Sequence, residues 1–172
     1  MADLAAGRWG AQSARIRDLA LRIVTVTGID AKDYRGEVDA IHAWMQRTIR
    51  YTRDPIGQER VQTPEHTAFV VRAGDCDDFA VIVASCIQAV GGRARIVHGF
   101  SGSSGHAWAE LWLGDGERGR AALARAAKAA GRPGWTPAHT KDAKGGVWLV
   151  LDWKFGELSM RASRVELAWT GD

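Results

Sequence analysis

Apolar residues recur with helical spacing in the N-terminal half of the chain and give way to strand-like runs in the C-terminal half. Residues 13–27 carry apolar side chains on one face of a helix, and Gly28 follows as a stop signal. The same spacing predicts a second helix over residues 36–50. The core positions assigned to these two helices are Ile16, Leu19, Ala20, Ile23, Val24, Val38, Ile41, Ala43, Trp44, Met45 and Ile49. Two prolines, a glycine and mixed charges then predict a surface loop over residues 51–64, followed by a short helix over residues 64–71.

The most apolar helix of the chain is predicted from Cys76 to about Val90. Asp75 follows a predicted turn at Ala73-Gly74 and can cap this helix through its side-chain oxygen. Gly91-Gly92 provides the stop signal. Because apolar residues lie on nearly every side of the helix, we expect it to be central and buried.

Four strand-like runs follow, each rich in β-branched or aromatic residues and bounded by glycine or charged turns. They cover residues 93–100, 106–113, 147–153 and 163–169. Helices followed by strands predict an α+β domain with an antiparallel sheet. Residues 114–146 separate two strands that would otherwise form a simple hairpin. The start of this insert has high helix propensity, whereas residues 133–146 look irregular.

The length and composition indicate one globular domain over all 172 residues. We divide it into N-terminal helices and loop (1–63), a core (64–113 and 147–172) and the insert (114–146). A hydrophobic share of 46% and a charged share of 25% are typical of a soluble protein. The net charge of +3 comes without a basic stripe interleaved with aromatics, so no nucleic-acid partner is expected.

The same sequence features bear on compartment and cofactors. Neither a signal peptide nor a run of about 20 apolar residues is present, so we expect a cytoplasmic protein with no membrane partner. Cys76 and Cys86 lie ten positions apart, which on one helix is about 15 Å and beyond disulfide reach. Free thiols fit a reducing compartment. No CxxC, HExxH or similar spacing indicates a metal, and no cofactor is expected.

Cys76 carries the strongest chemical signal in the chain. In the first turn of a helix, unpaired N–H groups and the helix dipole stabilise a thiolate and can hold the oxyanion of an acyl-transfer intermediate. Gly74 would allow a tight turn and close approach of a substrate. Asp77 and Asp78 oppose thiolate formation unless they point away or pair elsewhere. A buried structural role is the usual fate of a lone cysteine, and we assign it to Cys86.

A thiol nucleophile needs a base and a group that orients the base. His106 opens a strand directly after the flexible residues 101–105, so its ring can project over a cleft. Asp152 lies near the end of a later strand among apolar residues, where an acid needs a partner. If the two strands are neighbours, the carboxylate lies beside the imidazole. A structural or surface role is the alternative for any single histidine, and we assign it to His42, His66, His98 and His139.

Three blocks of sequence together resemble the transglutaminase-like superfamily and occur in the order of that family. GDCDDFAVIVASCIQAVGGRARIVHGF resembles its cysteine block, GHAWAELWL its histidine block and VWLVLDW its aspartate block. The run DPIGQERVQTP, together with GDCDD, resembles small transglutaminase-like proteins of bacterial and prophage genomes. One departure is Asp77, which follows the cysteine where animal transglutaminases have a tryptophan.

The resemblance implies a papain-like fold in which a central cysteine-bearing helix packs on an antiparallel sheet that carries the other two residues. It implies Cys76 as nucleophile, His106 as base and Asp152 as the residue that orients the histidine. In papain-like enzymes a glutamine before the cysteine often donates to the oxyanion, a role for which Gln62 is the candidate. All candidates for contact with the oxyanion or the substrate are Gln62, Asp75, Asp77 and Trp108.

The implied activity is acyl transfer through a thioester. Hydrolysis of a peptide or carboxamide bond by a protease or amidase is favoured over transglutaminase cross-linking. The substrate class stays open between protein, peptidoglycan stem peptide and small amide, as does the oligomeric state; a phage-derived origin fits the resemblance. A non-catalytic binding or assembly module on the same fold is the competing interpretation, and the acidic neighbours of Cys76 are its best support.

Overall fold

The computed structural model describes residues 1–8, 10–28, 34–129, 131–132, 134–160 and 164–170. Its helices are α1 (Ala2–Ala6), α2 (Ala14–Val26), α3 (Tyr34–Thr48), α4 (Cys76–Ala89) and α5 (Gly116–Ala129), with a π-helix at His66–Val71. Its strands are β1 (Arg50–Tyr51), β2 (Ala73–Gly74), β3 (Ala94–Ser101), β4 (Ser104–Asp115), β5 (His139–Lys141), β6 (Gly146–Leu151) and β7 (Arg164–Thr170). The predicted α+β class is confirmed.

Helices α2 and α3 form where the apolar spacing predicted them. Ser13 caps α2, because its Oγ accepts a hydrogen bond from the backbone N–H of Ile16 at 3.3 Å. Gly28 follows the helix in the left-handed region, at φ +66°. All five predicted core positions of α2 are buried. Those of the second helix are buried too, except that Ala43 and Trp44 are half-buried.

Helix α4 lies at the centre of the fold. Every residue from Asp77 to Ile87 is buried. The helix packs against β3 and β4 on the sheet side and against α1, α2 and α3 on the other side. This double packing explains why the helix is apolar all round rather than along one stripe.

The main sheet has the strand order β5-β6-β4-β3-β7, and all its neighbouring strands are antiparallel. In the β3–β4 hairpin, His106 pairs with Gly99. Strand β4 then pairs with β6, with Ala109 opposite Leu151. The beginning of β4 therefore lies beside the end of β6, which brings His106 next to the residue that follows β6, Asp152.

Of two local predictions before α4, the turn was wrong, whereas the short helix forms within its predicted bounds. Ala73-Gly74 is not a turn but strand β2, which pairs in parallel with β1. The helix predicted over residues 64–71 is mostly π-helical, and the chain leaves it through Arg72 in the left-handed region, at φ +50°. The β1–β2 pair ties the end of α3 to the start of α4, so the loop between them is held beside the N-terminus of α4.

The insert packs onto the sheet. Helix α5 lies against β4 and β6 and buries Leu123 and Ala127. Strand β5 adds an edge to β6, so the expected irregularity of residues 133–146 was wrong for this strand. Pro133 and Ser163, which opened two predicted segments, lie outside the described residues. In the described part of the chain, no helix combines the length and the apolar character needed to cross a bilayer.

Candidate active site

Cys76 is the first residue of α4, and its side chain is half-buried. The first α-helical hydrogen bond runs from the backbone N–H of Phe79 to the carbonyl of Asp75, at 3.1 Å. The N–H groups that precede Phe79 in this turn have no acceptor four residues earlier. The thiol therefore lies at the positive end of a buried helix, as the sequence predicted.

Gly74 makes room for a side chain of the protein rather than for a substrate. A Cβ atom at position 74 would lie 2.5 Å from Cβ of Asp78. Only glycine therefore leaves space for the Asp78 carboxylate, which lies directly against it. The expectation that Gly74 admits a close substrate was wrong, because Asp78 fills that space.

Gln62 holds the Asp78 carboxylate. The backbone N–H and the side-chain Nε2 of Gln62 each donate to Asp78 at 2.7 Å, and Nε2 also donates to the carbonyl of Ala73 at 3.2 Å. Burial raises the pKa of Asp78, although the hydrogen bonds from Gln62 oppose the rise. Both amide hydrogens of Gln62 are thus engaged within the protein, so its expected role as an oxyanion donor was wrong. Gln62 instead clamps the preceding loop to the start of α4.

His106 and Asp152 form a buried hydrogen-bonded pair. His106 Nε2 lies 2.9 Å from Asp152 Oδ2, and the two side chains are 13% and 1% exposed. The backbone N–H groups of Trp153 and Ser159 donate to the two carboxylate oxygens at 2.8 and 2.9 Å. Burial alone would raise the pKa of Asp152, but the hydrogen bonds from His106 and Ser159 outweigh it and lower the pKa. Asp152 is therefore a fixed negative charge beside the imidazole.

His106 also interacts with Cys76, and Asp152 and Cys76 together favour its protonated form. Burial disfavours the imidazolium, but the hydrogen bonds with Asp152 and Cys76 raise the pKa of His106 to about 9. Because Nε2 faces Asp152, Nδ1 is the ring nitrogen left for the thiol. The raised pKa favours the imidazolium form of His106 at neutral pH.

The sequence analysis missed two residues of this site. Ser159 Oγ donates to Asp152 Oδ2 at 2.6 Å and lies 2.9 Å from His106 Nε2, so carboxylate and hydroxyl share the Nε2 hydrogen. His42 on α3 donates from Nε2 to the main-chain oxygen of Asp152, at 2.6 Å. Burial lowers the pKa of His42, which keeps the ring neutral. Its place within the apolar stripe of α3 was a usable signal; Ser159 lies in an irregular segment and gave none.

Asp75 and Asp77 flank Cys76, and their carboxyl groups interact with each other. Their side chains are 9% and 5% exposed, and among the described residues no N–H or hydroxyl group donates to Oδ1 of either one. Burial and a hydrogen bond with Asp75 raise the pKa of Asp77 to about 8. The Asp77 carboxyl group therefore holds a proton more readily than an exposed aspartate does. Asp75 does not cap α4 through its side chain, so that prediction was wrong.

The same three neighbours are close enough to hold a metal ion. One oxygen of Asp75, one of Asp77 and the sulfur of Cys76 lie within 4.8 Å of one another. The sequence analysis saw no metal spacing here because these are three consecutive residues rather than a spaced motif. An ion held by all three would occupy the thiol itself.

A cleft of about 460 Å³ opens onto Cys76. Residues 53–59 of the loop line one side, and Tyr51, Asp75 and Gly105 are among the other lining residues. Most of the loop residues are exposed, so the cleft is open to solvent. Trp108 lies outside the lining.

Trp108 has a different role from the one predicted. It is buried, its Nε1 donates to Glu110 Oε1 at 3.0 Å, and its ring stacks against that of His106 with centroids 5.9 Å apart. The prediction that Trp108 contacts the substrate or the oxyanion was therefore wrong. The indole instead supports the imidazole from the protein side.

The remaining candidate groups lie away from the cleft. Cys86 is fully buried in α4, and burial raises its pKa to about 12. Both cysteines are free, as predicted. His66 is exposed, whereas His98 and His139 are half-buried. None of these four residues lines the cleft beside Cys76.

A helix-borne cysteine packed on an antiparallel sheet that carries a histidine defines the papain-like, transglutaminase-like fold. The sequence profile of the Transglutaminase-like superfamily matches residues 22–152, and the chain belongs to this superfamily. Members of the superfamily are usually cysteine-dependent enzymes. The predicted family is therefore confirmed.

Two solved structures are similar to this chain. A protein from Cytophaga hutchinsonii, provisionally described as a cysteine protease, is 26% identical with a TM-score of 0.47; the match covers 59% of this chain and 34% of that one. The periplasmic domain of TgpA from Pseudomonas aeruginosa, bound to ethylmercury, is 20% identical with a TM-score of 0.48; the match covers 84% and 44%. The chain thus spans less than half of either protein. No curated protein shows significant sequence similarity to it.

Proposed function

We propose that this protein is a cysteine hydrolase that cleaves a peptide or carboxamide bond through a thioester intermediate. The observation that carries the proposal is the hydrogen-bonded pair of His106 and Asp152, whose imidazole also interacts with Cys76 at the start of α4. The cleft opens at the sulfur of this arrangement. An inert structural cysteine needs neither a charged histidine nor an open cleft.

The geometry supports a two-step reaction. Cys76 Sγ attacks the carbonyl carbon, and the proton on His106 Nδ1 passes to the leaving nitrogen as the C–N bond breaks. The product of this step is an amine and a thioester on Cys76. His106 then takes a proton from water, the hydroxide attacks the thioester, and the carboxylic acid leaves as the sulfur regains its negative charge.

Charge that develops on the carbonyl oxygen needs donors. We assign this role to the backbone N–H of Cys76, in the first turn of α4, because the helix N-terminus is directed at the position that the oxyanion takes. Asp152 keeps the imidazole in place and stabilises its positive charge, and Ser159 and His42 hold Asp152. Each buried polar group of the proposed triad is thereby paired.

Water, rather than a second amine, is the acceptor that the open cleft favours. Transamidation requires that water be kept away from the thioester, and the exposed loop over residues 53–59 does not enclose the cleft. The transglutaminase alternative is tested by adding a primary amine such as cadaverine to a turnover assay. Incorporation of the amine in place of hydrolysis would move the protein to that class.

The direct test of the proposal is the reactivity of Cys76, with Cys86 as an internal control. Iodoacetamide labelling, resolved by mass spectrometry, should modify Cys76 at pH 6 to 7 and leave Cys86 unmodified in the folded protein. His106→Ala should slow labelling of Cys76, while His98→Ala, a half-buried histidine on β3, should not. Equal labelling of Cys76 in all three proteins would refute the thiolate–imidazolium pair.

Turnover then separates enzyme from binding module. A library of fluorogenic peptide amides should be hydrolysed by the wild type and by His98→Ala, and not by Cys76→Ala. A reactive Cys76 without any turnover, together with a stable complex that survives Cys76→Ala, would instead support the non-catalytic module.

A further inference from the structure

The charge next to the nucleophile has the wrong sign for the chemistry unless something offsets it. One oxygen each of Asp75 and Asp77 lies within 4.8 Å of Cys76 Sγ. A negative charge at that distance disfavours both a thiolate and the oxyanion that forms from it. Asp75 is held in this position although it neither caps the helix nor receives a hydrogen bond at Oδ1 from any N–H or hydroxyl group in the described part of the chain.

Asp75 faces the cleft, whereas Asp77 lies behind it. Asp75 is part of the cleft lining next to Cys76, and Asp77 is not. Of the two acids beside the nucleophile, Asp75 is therefore the one that a ligand in the cleft can contact. Asp75 Oδ1 is itself buried and receives no hydrogen bond from the described residues, so a positive charge in the adjoining cleft would offset a poorly solvated acid.

The rest of the lining has the same polarity. Asp54 and Glu59 of the loop also line the cleft, and Arg53 is the one basic residue among the lining residues. Negative groups therefore outnumber positive ones around the cleft, although the whole chain has a net charge of +3. The local excess of negative charge is a property of the site and not of the composition.

We propose that Asp75 is the floor of a subsite that binds a positively charged group, an ammonium or a guanidinium, carried by the substrate beside the scissile carbonyl. The inference deepens the proposed function, on which it rests for its catalytic meaning. The substrate cation would offset the charge of Asp75 at the moment when negative charge builds up on the carbonyl oxygen. When a substrate lacks such a group, nothing in the substrate offsets the charge of Asp75, and the substrate should react more slowly.

The distances limit where the cation can lie. An acyl carbon bonded to Cys76 Sγ brings the group on the next carbon within hydrogen-bond reach of a carboxylate less than 5 Å from the sulfur. A free α-amine fits this position directly. A longer basic side chain extends past it towards Asp54 and Glu59. The α-amine and the basic side chain both present a positively charged nitrogen, and substrates that carry only one of the two can distinguish them.

The first experiment measures the subsite without requiring turnover. Cys76 is modified with two methanethiosulfonate reagents of similar size, one with an aminoethyl group, which is an ammonium at neutral pH, and one with a sulfonatoethyl group, in the presence of EDTA. Each rate is divided by the rate at which the same reagent modifies 2-mercaptoethanol, which corrects for the different reactivities of the two reagents. We expect the cationic reagent to be favoured at Cys76 by roughly ten- to a hundredfold, the range for a hydrogen bond or contact with one charged group.

Variants assign this preference to Asp75. Asp75→Asn should reduce the ratio of the two rates to near one, and Asp75→Glu should retain most of it. Asp115→Asn removes the same charge from an exposed position at the end of β4 and should leave the ratio unchanged. A wild-type ratio near one, or a ratio that Asp75→Asn does not change, overturns the proposal.

Four aminoacyl coumarin amides distinguish the source of the cation and separate the two proposals. Lysine and norleucine amides, each with a free or an acetylated amine, vary the side-chain charge and the α-amine independently. A preference for the free amine, seen in KM and lost in Asp75→Asn, assigns the α-amine; a preference for lysine assigns the side chain. Hydrolysis with no charge preference refutes the subsite alone. A cationic preference in labelling without hydrolysis of any amide keeps the subsite and refutes the proposed function.

Discussion

Replacing Asp152 by asparagine removes one negative charge from the site and keeps the shape of the side chain. The pKa of His106 rises from its ordinary value of 6.5 to about 9 in the folded protein, which corresponds to about 3 kcal/mol in favour of the imidazolium. Burial opposes this rise, and the hydrogen bonds with Asp152 and Cys76 cause it. In Asp152→Asn we therefore expect the pKa of His106 to return to about 6.5 or lower.

The change has a large effect on the charge of the ring at neutral pH. With a pKa of about 9, nearly all of the His106 rings carry a proton at pH 7.5. With a pKa of about 6.5, roughly one ring in ten does. If the thiolate depends on this imidazolium, alkylation of Cys76 at pH 7.5 should slow by about tenfold. The hydrolytic rate should fall at least as far, because the leaving amine loses its proton donor.

The assay is a pH titration of the histidine Cε1–H signals by NMR. Five histidines are present, and the His106 signal is identified by its loss in His106→Gln. Asp142→Asn is the matched control, because Asp142 also accepts hydrogen bonds from backbone N–H groups and from a tryptophan, away from the site. A wild-type midpoint near 6.5, or the same midpoint in wild type and Asp152→Asn, would refute the reasoning.

Three further variants test the surroundings of the site. Ser159→Ala removes one hydrogen bond to Asp152 and should lower the free energy of unfolding, measured in urea, by about 1 kcal/mol. It should slow labelling of Cys76 less than Asp152→Asn does, and an equal effect of the two variants would contradict this ranking. Gly74→Ala forces a Cβ atom against Asp78 and should lower the free energy of unfolding by about 1–3 kcal/mol. A decrease below about 0.5 kcal/mol would mean that the Asp78 side chain moves aside freely. Burial lowers the pKa of His42 below 6.5 in the folded protein, so the unfolded chain binds the extra proton and stability is lost as the pH falls below 6.5. His42→Gln should therefore flatten the change in unfolding free energy between pH 7.5 and 5. An unchanged slope would exclude His42 as the source of this pH dependence.

His106 should act on stability in the opposite sense. Its folded-state pKa is raised, so its contribution is fully present below pH 6.5 and is lost as the pH rises through about 9. His106→Gln should therefore remove a loss of stability that the wild type shows between pH 7 and 10. Comparison of the two histidine variants by urea unfolding across pH separates the two contributions, and a slope that His106→Gln leaves unaltered would contradict the raised pKa.

Local sequence alone determined much of this protein. The spacing of apolar residues is a property of neighbouring positions, so α2, α3 and the all-round apolar α4 could be placed within a few residues. Alternation and glycine punctuation located β3, β4, β6 and β7. The three blocks with Cys76, His106 and Asp152 were recognisable because each residue occupies a fixed place within its own element.

Tertiary structure decided everything that depends on side chains from distant elements. Gln62 meets Asp78 across 16 positions, Ser159 meets His106 across 53, and His42 meets the main chain of Asp152 across 110. No local pattern specifies which acceptor a glutamine or a serine will find, because the answer depends on where the backbone brings other groups. The predicted oxyanion role of Gln62 failed for this reason.

The same distinction applies to the acids beside the nucleophile. The sequence showed that Asp75, Asp77 and Asp78 adjoin Cys76, and that the charges of Asp77 and Asp78 oppose a thiolate if they face it. Only the packing of α4 against its neighbours determined their separate environments: Asp78 turns towards Gln62, Asp77 interacts with Asp75, and Asp75 lines the cleft. The direction of a side chain at a helix start follows from the elements packed around it, and these elements come from every part of the chain.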